Sequence, residues 1–235
     1  MFIFVNGRCV LKKSPVEGLV EALLFMKEEF IMEGIKNVIL DLGGVIIGIT
    51  WSRCIDAFAQ LGVTDIRQND VSDYLQKELF MQFELGTISP HAFRAGIRRK
   101  TEREITDEEI NDAWIQMLGE VTTEKLDLLL DLHQRYNTFL LSNTNLLHWQ
   151  WIASKYFNYR GLQADDFFDR IYLSYELHMQ KPNTDIFQFV LEDAHIQAEE
   201  TLFLDDSLAN CKAAEGLKIN SYNVQPREDW SHLFR

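Results

Sequence analysis

Short apolar runs that end in glycine-rich or polar turns recur along the chain. Three runs stand out, and with their turns they are 36–42 with Gly43-Gly44, 138–141 with 142–145, and 201–204 with 205–207. A weaker run covers 170–174. Because these runs do not alternate with polar residues, they are typical of strands buried on both faces, as in a parallel sheet with helices on each side. The pattern therefore predicts an α/β fold.

The segment between the first two runs has a helical period instead. Apolar residues repeat there at a spacing of three or four in the stretches 51–61, 71–83, 89–99 and 107–117. Thr106, followed by three acidic residues, is typical of a helix start. We interpret this segment as a helical insert that lies over the strand ends.

Residues 1–34 precede the first run and contain no chemical motif. Their clearest pattern is an amphipathic helix at 16–32. Because Met32 lies just before the first run, the preceding residues are either a dispensable extension or lie upstream of the true start. The chain then divides into an N-terminal extension (1–34), a core (35–51 and 126–235) and the helical insert (52–125).

Charge, apolar run length and cysteine usage exclude several classes of function. The 235 residues include 23 Lys and Arg against 36 Asp and Glu, for a formal net charge of −13. So acidic a surface repels polyanions, and we expect no nucleic acid partner. No apolar run approaches the ~18 residues that span a bilayer, so we expect no membrane association. Three cysteines without a CxxC pair favour a reducing cytoplasm. We also expect the protein to be a monomer or a weak homodimer.

Polar side chains follow the predicted strands where these end. Asp41 closes the first run, Ser142 follows the second, and Asp205 and Asp206 follow the third. In an open α/β sheet the carboxyl ends of the strands face the ligand site. Taken singly, each of these residues is explained as a turn or a helix cap. Their joint occurrence at strand ends favours a single site.

Lys181-Pro182 joins this set of residues. The pair opens a predicted helix at about 183–194, with the proline in the first turn, where proline is favoured. Alone, Lys181 would be interpreted as a solvated charge.

The order of these motifs resembles the haloacid dehalogenase (HAD) superfamily, most of whose members are Mg2+-dependent phosphatases. The matching stretches, within about 36–225, are Val38-Ile39-Leu40-Asp41-Leu42-Gly43-Gly44-Val45, Leu141-Ser142-Asn143-Thr144, Lys181-Pro182 and Phe203-Leu204-Asp205-Asp206. The resemblance implies a Rossmann-like, HAD-like core sheet and identifies the helical insert as the family's α-helical cap domain. The first two motifs are most similar to a bacterial subgroup that includes sugar-1-phosphate phosphatases.

The resemblance implies a nucleophile and a metal site. It makes Asp41 the nucleophile, which forms an aspartyl-phosphate. Asp41, the backbone carbonyl of Gly43 and Asp206 would hold Mg2+, with Asp205 as an indirect partner or an occasional ligand.

The resemblance also implies a phosphate-binding set. Ser142 and the backbone N–H groups of Asn143 and Thr144 would donate hydrogen bonds to the phosphoryl oxygens. Lys181 would be both phosphate-binding and catalytic, because its charge stabilises the phosphoryl group during transfer.

Gly43 departs from the usual family pattern. Most phosphatases of the superfamily carry a second Asp there, which protonates the leaving alcohol and then activates water, and general acid catalysis is worth ~100- to 10,000-fold. Three explanations stay open. In the first, another group such as Glu84 or His148 takes the role, although a position on a solvated helix face is the simpler interpretation of both residues. In the second, the leaving group needs less protonation, as in an anomeric or acyl phosphate. In the third, the protein is a catalytically impaired binding module.

Hydrolytic haloacid dehalogenases of the same superfamily also lack the second Asp, and they use the strand Asp without Mg2+. The Asp205-Asp206 pair supplies the carboxylates of a metal site, which favours phosphoryl transfer. We therefore predict a cytoplasmic, Mg2+-dependent phosphatase that acts on a small phosphorylated metabolite.

Overall fold

The structure is a computed structural model, and it describes residues 2–5, 8–11, 33–63 and 74–235. The amphipathic helix predicted at 16–32 lies outside the described residues. Two short strands near the N-terminus, β1 (Phe2–Val5) and β2 (Arg8–Leu11), pair antiparallel and were not predicted. Within the part of the chain that the structure describes, no helix has the length and the apolar character needed to cross a membrane.

A five-stranded parallel sheet with the order β5-β4-β3-β6-β7 forms the centre of the molecule. Its strands are β3 (Asn37–Leu40), β4 (Asn137–Ser142), β5 (Arg170–Leu173), β6 (Thr201–Asp205) and β7 (Asn220–Asn223). The three strong apolar runs form β3, β4 and β6, and the weaker run forms β5. The predicted parallel α/β fold is therefore confirmed, whereas β7 was not predicted.

Strand β3 lies in the middle of the sheet and is covered on both faces. Leu40 is in register with Leu140 of β4 and with Leu204 of β6. Val38 and Leu40 pack into one apolar core and Ile39 into a second, as the alternation of side chains along a strand requires. Burial on both faces explains why Val38, Ile39 and Leu40 are consecutive apolar residues.

Helices surround this sheet and build the insert between β3 and β4. The helices of the described residues are α1 (Trp51–Gln60), α2 (Tyr74–Glu84), α3 (Pro90–Arg98), α4 (Asp107–Ile115), α5 (Thr123–Arg135), α6 (Leu146–Tyr156), α7 (Ser174–Leu177), α8 (Thr184–Asp193) and α9 (Leu208–Glu215). Helices α1 to α4 correspond to the four predicted helical stretches.

Two helix starts illustrate how local sequence sets the boundaries. The Thr106 hydroxyl accepts a hydrogen bond from the Glu109 N–H (3.1 Å), and the Glu109 carboxylate accepts one from the Thr106 N–H (2.7 Å), which is a capping box. The predicted position of Pro182 is wrong. Helix α8 begins at Thr184 with Asn183 as its N-cap, so the proline precedes the helix.

The two linkers that join the helical insert to the sheet are paired with each other. The Thr50 N–H donates to the Met117 carbonyl, and the Gly119 N–H donates to the Gly48 carbonyl, both at 2.8 Å. A Cβ atom at position 119 would lie 2.9 Å from the Gly48 oxygen, so this close approach requires glycine. The pairing fixes the base of the insert where β3 ends.

Candidate active site

Asp41 leaves β3 in a tight loop that holds one of its carboxylate oxygens. The Asp41 N–H continues the sheet by donating to the Leu204 carbonyl (2.9 Å), and the Leu42 N–H donates to Asp41 Oδ1 (2.7 Å). Gly44 has a φ of +74°, which favours glycine. A Cβ atom there would also overlap the carboxylate of Asp206. Gly44 therefore lets Asp206 approach the loop that carries Asp41.

Lys181 connects the ends of three strands. Its ammonium lies 2.9 Å from Asp41 Oδ1, 2.7 Å from Asp205 Oδ2 and 2.8 Å from the Leu141 carbonyl oxygen. These three acceptors match the three donors of an ammonium group. Burial by itself lowers the pKa of Lys181, but the Asp41 and Asp205 carboxylates together raise it above the usual value. Lys181 is therefore a permanent positive charge beside Asp41.

Both oxygens of Asp205 are engaged by the protein. Besides the bond to Lys181, the carboxylate accepts hydrogen bonds from the Ser207 N–H (2.8 Å) and from Asn210 Nδ2, which lies 2.9 and 3.0 Å from its two oxygens. Asp206, the next residue, is exposed. The two adjacent acids thus differ in their surroundings, because one is enclosed and paired and the other faces outward.

Asp41, Asp205 and Asp206 converge at one point. Each can offer one carboxylate oxygen such that all three oxygens lie within 4.8 Å of one another. Burial, partly offset by Lys181 and reinforced by Asp205, raises the pKa of Asp41 to about 7. Burial, followed by repulsion from Asp205, also raises the pKa of Asp206. The cluster therefore holds more negative charge than its single ammonium neutralises.

A magnesium ion fits this donor set. Mg2+ prefers oxygen ligands and usually takes only a few of them from protein, and a divalent cation favours the ionised forms of crowded carboxyl groups. Asp41 and Asp206 have free oxygens, and no described residue donates a hydrogen bond to the Gly43 carbonyl. Both oxygens of Asp205 already accept hydrogen bonds from the protein. Of the two roles predicted for Asp205, an indirect partner of the metal therefore fits better than a ligand.

Three of the residues predicted to bind phosphate, Ser142, Asn143 and Thr144, differ in their surroundings. Ser142 is buried at the carboxyl end of β4. The carbonyl of the preceding residue, Leu141, accepts a hydrogen bond from the Lys181 ammonium. The Asn143 side chain pairs with the backbone of Lys181, accepting from its N–H (2.9 Å) and donating to its carbonyl (2.8 Å). The Thr144 N–H donates to Ser174 Oγ (2.9 Å). Thr144 is therefore not placed to donate to a phosphoryl oxygen by this group, and that part of the prediction is wrong.

Ser174 and Asn210 belong to the site and were not predicted. Ser174 follows β5, and the rule that polar residues at strand ends mark the site would have found it, had the weak run at 170–174 been given the same weight as the others. Asn210 is in α9, five residues after Asp205, and no motif in the sequence distinguishes it.

His148 is buried, not solvated, so its interpretation as a residue on a solvated helix face is wrong. Its ring stacks on Trp114 at a centroid distance of 4.7 Å. Nδ1 lies 3.1 Å from Asn145 Nδ2, which donates, so Nε2 carries the proton and donates to the Trp114 carbonyl (3.2 Å). Burial lowers the pKa of His148 to about 4. Because both nitrogens are engaged, His148 is a neutral contact between α6 and helix α4 of the insert.

Glu84 is also not on a solvated face. It ends α2 and is partly buried, and burial alone raises its pKa to about 7. Its carboxylate makes no hydrogen bond or ion pair with any residue that the structure describes.

Comparison with known proteins finds a matching family and a similar curated sequence. A model of haloacid dehalogenase-like hydrolases matches residues 35–217. The chain is 36% identical to a D-ribitol-5-phosphate phosphatase of Bacteroides thetaiotaomicron over 83% of this chain and 95% of that one.

The fold is also similar to solved structures of HAD family proteins. A HAD family enzyme of B. thetaiotaomicron in complex with magnesium and inorganic phosphate superposes with a TM-score of 0.81 at 45% identity, over 86% of this chain and 100% of that one. A predicted HAD-like hydrolase of Porphyromonas gingivalis superposes with a TM-score of 0.77 at 36% identity, over 86% of this chain and 98% of that one.

Proposed function

Because this chain belongs to the haloacid dehalogenase-like hydrolases, we propose that it is a Mg2+-dependent phosphatase of a small sugar or polyol phosphate. The observation that carries the proposal is the buried contact of Lys181 with Asp41 and Asp205, next to the outward-facing Asp206. The relatives support it, since one is named a D-ribitol-5-phosphate phosphatase and another was solved with magnesium and inorganic phosphate.

In the proposed reaction Asp41 is the nucleophile. Lys181 and the Leu42 N–H hold Oδ1 and so orient the carboxylate, one oxygen of which attacks phosphorus while the other would face the metal. The bond between phosphorus and the ester oxygen breaks, that oxygen takes a proton and leaves as the alcohol, and the phosphoryl group is carried by Asp41. Water then attacks phosphorus and regenerates the Asp41 carboxylate.

The surrounding groups bind and orient the phosphoryl group. Lys181 stabilises its negative charge, and the Ser142 hydroxyl and the Asn143 N–H are the proposed donors to its oxygens. Mg2+, held by Asp41, Asp206 and the Gly43 carbonyl, would supply the positive charge that offsets repulsion between two anions.

The helical insert is proposed to act as a cap over this site. Residues 52–125 would form the cap, residues 35–51 and 126–235 the core, and residues 1–34 an extension outside both. Helices α1 to α4 lie between the paired linkers at 48–50 and 117–119, so the cap can close as a unit and exclude water. The proposal includes a cytoplasmic location, which the scarce cysteines support, and a monomer or weak homodimer.

The relative's substrate bears on the missing acid at Gly43. D-ribitol 5-phosphate is the ester of a primary alcohol, whose alkoxide is a poor leaving group unless it is protonated. If this chain acts on a similar ester, an anomeric or acyl leaving group no longer explains the absence of the second Asp. A proton donor is then needed elsewhere in the site.

Phosphate release from a panel of sugar and polyol phosphates, including D-ribitol 5-phosphate, tests the proposal. We expect release with Mg2+, none with EDTA, and none from Asp41→Asn. Glu192→Gln, an exposed acid in the last turn of α8, is the matched control and should behave as wild type. Halide release from haloacids without metal would identify a dehalogenase, and tight binding of the esters without turnover would identify a binding module.

A further inference from the structure

The backbone of Glu84, at the end of α2 in the helical insert, contacts a residue that also contacts the proposed phosphate-binding loop. The backbone carbonyl of Glu84 accepts a hydrogen bond from Ser174 Oγ (2.6 Å), and the same hydroxyl accepts one from the Thr144 N–H (2.9 Å). Ser174 thus connects Glu84 directly to a residue two positions beyond Ser142. This bridge brings the end of α2 to the carboxyl ends of β4 and β5.

Two further contacts fix the chain just after Glu84. His178 Nδ1 lies 2.7 Å from the Leu85 carbonyl oxygen and donates to it. Gly86 has a φ of +65°, and a Cβ atom there would overlap the carbonyl of Tyr175. The residues that follow α2 are therefore held against the segment after β5, at the same edge of the sheet as Asp41.

Glu84 is neither fully enclosed nor fully exposed. Its carboxyl is desolvated enough for its pKa to rise to about 7, yet the residue keeps some exposure to solvent. The titratable groups on the facing segment are Tyr175, Glu176 and His178, and burial is the only cause of the pKa shift. A carboxyl of this kind exists as both acid and base near neutral pH, as proton transfer requires.

The other groups near the site are already committed or absent. Gly43 offers no side chain, and a Cβ atom there would lie 3.2 Å from Ile49 Cγ1. Asp205 is held by Lys181, and both nitrogens of His148 are engaged. The Glu84 carboxyl, by contrast, has no hydrogen-bond or ion-pair partner among the described residues and no other proposed role.

We propose that Glu84 is the general acid and general base of this site, in place of the side chain that Gly43 lacks. The inference rests on the proposed phosphatase function. As a carboxylate oxygen of Asp41 bonds to phosphorus, the P–O bond to the alcohol breaks, and the leaving oxygen takes the proton of the Glu84 carboxylic acid. The Glu84 carboxylate then takes a proton from the water that attacks phosphorus, the bond to Asp41 breaks, and phosphate leaves.

The test compares esters whose leaving groups differ in their need for a proton. In Glu84→Gln, phosphate release from D-ribitol 5-phosphate should fall by about 100-fold or more. With p-nitrophenyl phosphate, whose phenolate leaves without protonation, the first turnover should proceed at close to the wild-type rate. Nitrophenolate should then appear as a burst of about one per active site, followed by slow turnover, because the base for the second step is missing.

Glu176→Gln, an exposed acid on the facing segment, is the control and should show wild-type rates with both esters. The pH profile gives a second readout, since the limb due to Glu84 should vanish in Glu84→Gln alone. If the Gln variant does not fold, Glu84→Ala carries the same expectations.

Two outcomes overturn the inference in distinguishable ways. Equal losses for the alkyl and aryl esters, with no burst, would mean that Glu84 only shapes the cap. A wild-type protein that releases phosphate from neither ester with Mg2+ would overturn the proposed function itself, and with it the role of Glu84.

Discussion

The ammonium of Lys181 lies 2.7 Å from Asp205 Oδ2, and both residues are buried. Asn210 and the Ser207 N–H complete the hydrogen bonding of the same carboxylate. Asp205 therefore holds the lysine beside Asp41, while its exposed neighbour Asp206 is the proposed metal ligand. We therefore expect Asp205 to contribute to folding and Asp206 to metal binding, and substitutions at the two positions test these roles separately.

Replacing Asp205 should mainly destabilise the fold. Asp205→Asn removes a charge from a buried pair and leaves the ammonium of Lys181 poorly compensated, so we expect the free energy of unfolding to fall by about 3 kcal/mol. Asp206→Asn, at an exposed position, should change it by less than about 1 kcal/mol. Urea denaturation without metal measures both, and equal losses for the two variants would contradict the assignment.

Magnesium should stabilise the folded protein through Asp206. A ligand that binds only the native state at 100 times its Kd adds about 2.7 kcal/mol, so the melting temperature of the wild type should rise with Mg2+. Asp206→Asn should lose most of this rise, and Glu192→Gln should keep it. An unchanged rise in Asp206→Asn, measured by calorimetry, would place the metal elsewhere.

A methyl group at position 44 should disturb the same site. Gly44→Ala adds a Cβ that overlaps the Asp206 carboxylate, on a backbone whose positive φ already costs an L residue roughly 1–2 kcal/mol. Gly161→Ala is matched, because Gly161 has a φ of +81° with no atom near the added Cβ. Both variants should be destabilised, but only Gly44→Ala should lose the Mg2+-dependent rise in melting temperature; a rise retained in full would show that the contact has no bearing on the metal.

His148 should make the fold sensitive to acid. Its pKa is about 4 when folded and about 6.5 when unfolded, so the unfolded state binds the proton more readily between these values. Its contribution is complete above about pH 6.5 and decreases as the pH falls, by about 3 kcal/mol at pH 4. Protonation of Nδ1 would also set it against the Asn145 amide donor.

His148→Gln should remove this part of the pH dependence. The raised pKa values of Asp41 and Glu84 act in the opposite direction, and the difference between wild type and variant cancels them. Urea denaturation of both proteins from pH 7 to pH 4 measures the effect. A difference in unfolding free energy that is constant over this range would contradict the buried neutral state of His148.

The sequence was sufficient to predict the strands that carry the site. Consecutive apolar residues such as Val38-Ile39-Leu40 favour burial on both faces of a sheet, and the carboxyl ends of parallel strands meet at one edge. Asp41, Lys181 and Asp205 are therefore brought together in the structure, as predicted. Strand β7 was missed because Asn220–Asn223 is a polar, half-buried edge strand without an apolar run.

The errors concern contacts between residues distant in sequence. Local periodicity gives no sign that Trp114 stacks on His148, or that Ser174 takes the N–H of Thr144. The same limit applies to Glu84, whose burial depends on how the insert packs against the segment after β5. Periodicity indicates which face of a helix is apolar, but not which distant element covers its end.

The most direct test of the account is to trap the phosphoryl group on Asp41. The enzyme is mixed with D-ribitol 5-phosphate and Mg2+, quenched in acid within the first turnover, and digested for mass spectrometry. We predict one added phosphoryl group on the peptide that contains Asp41, and none in Asp41→Asn. Phosphate release by the wild type with the phosphoryl group on another residue, or on none, would contradict the account.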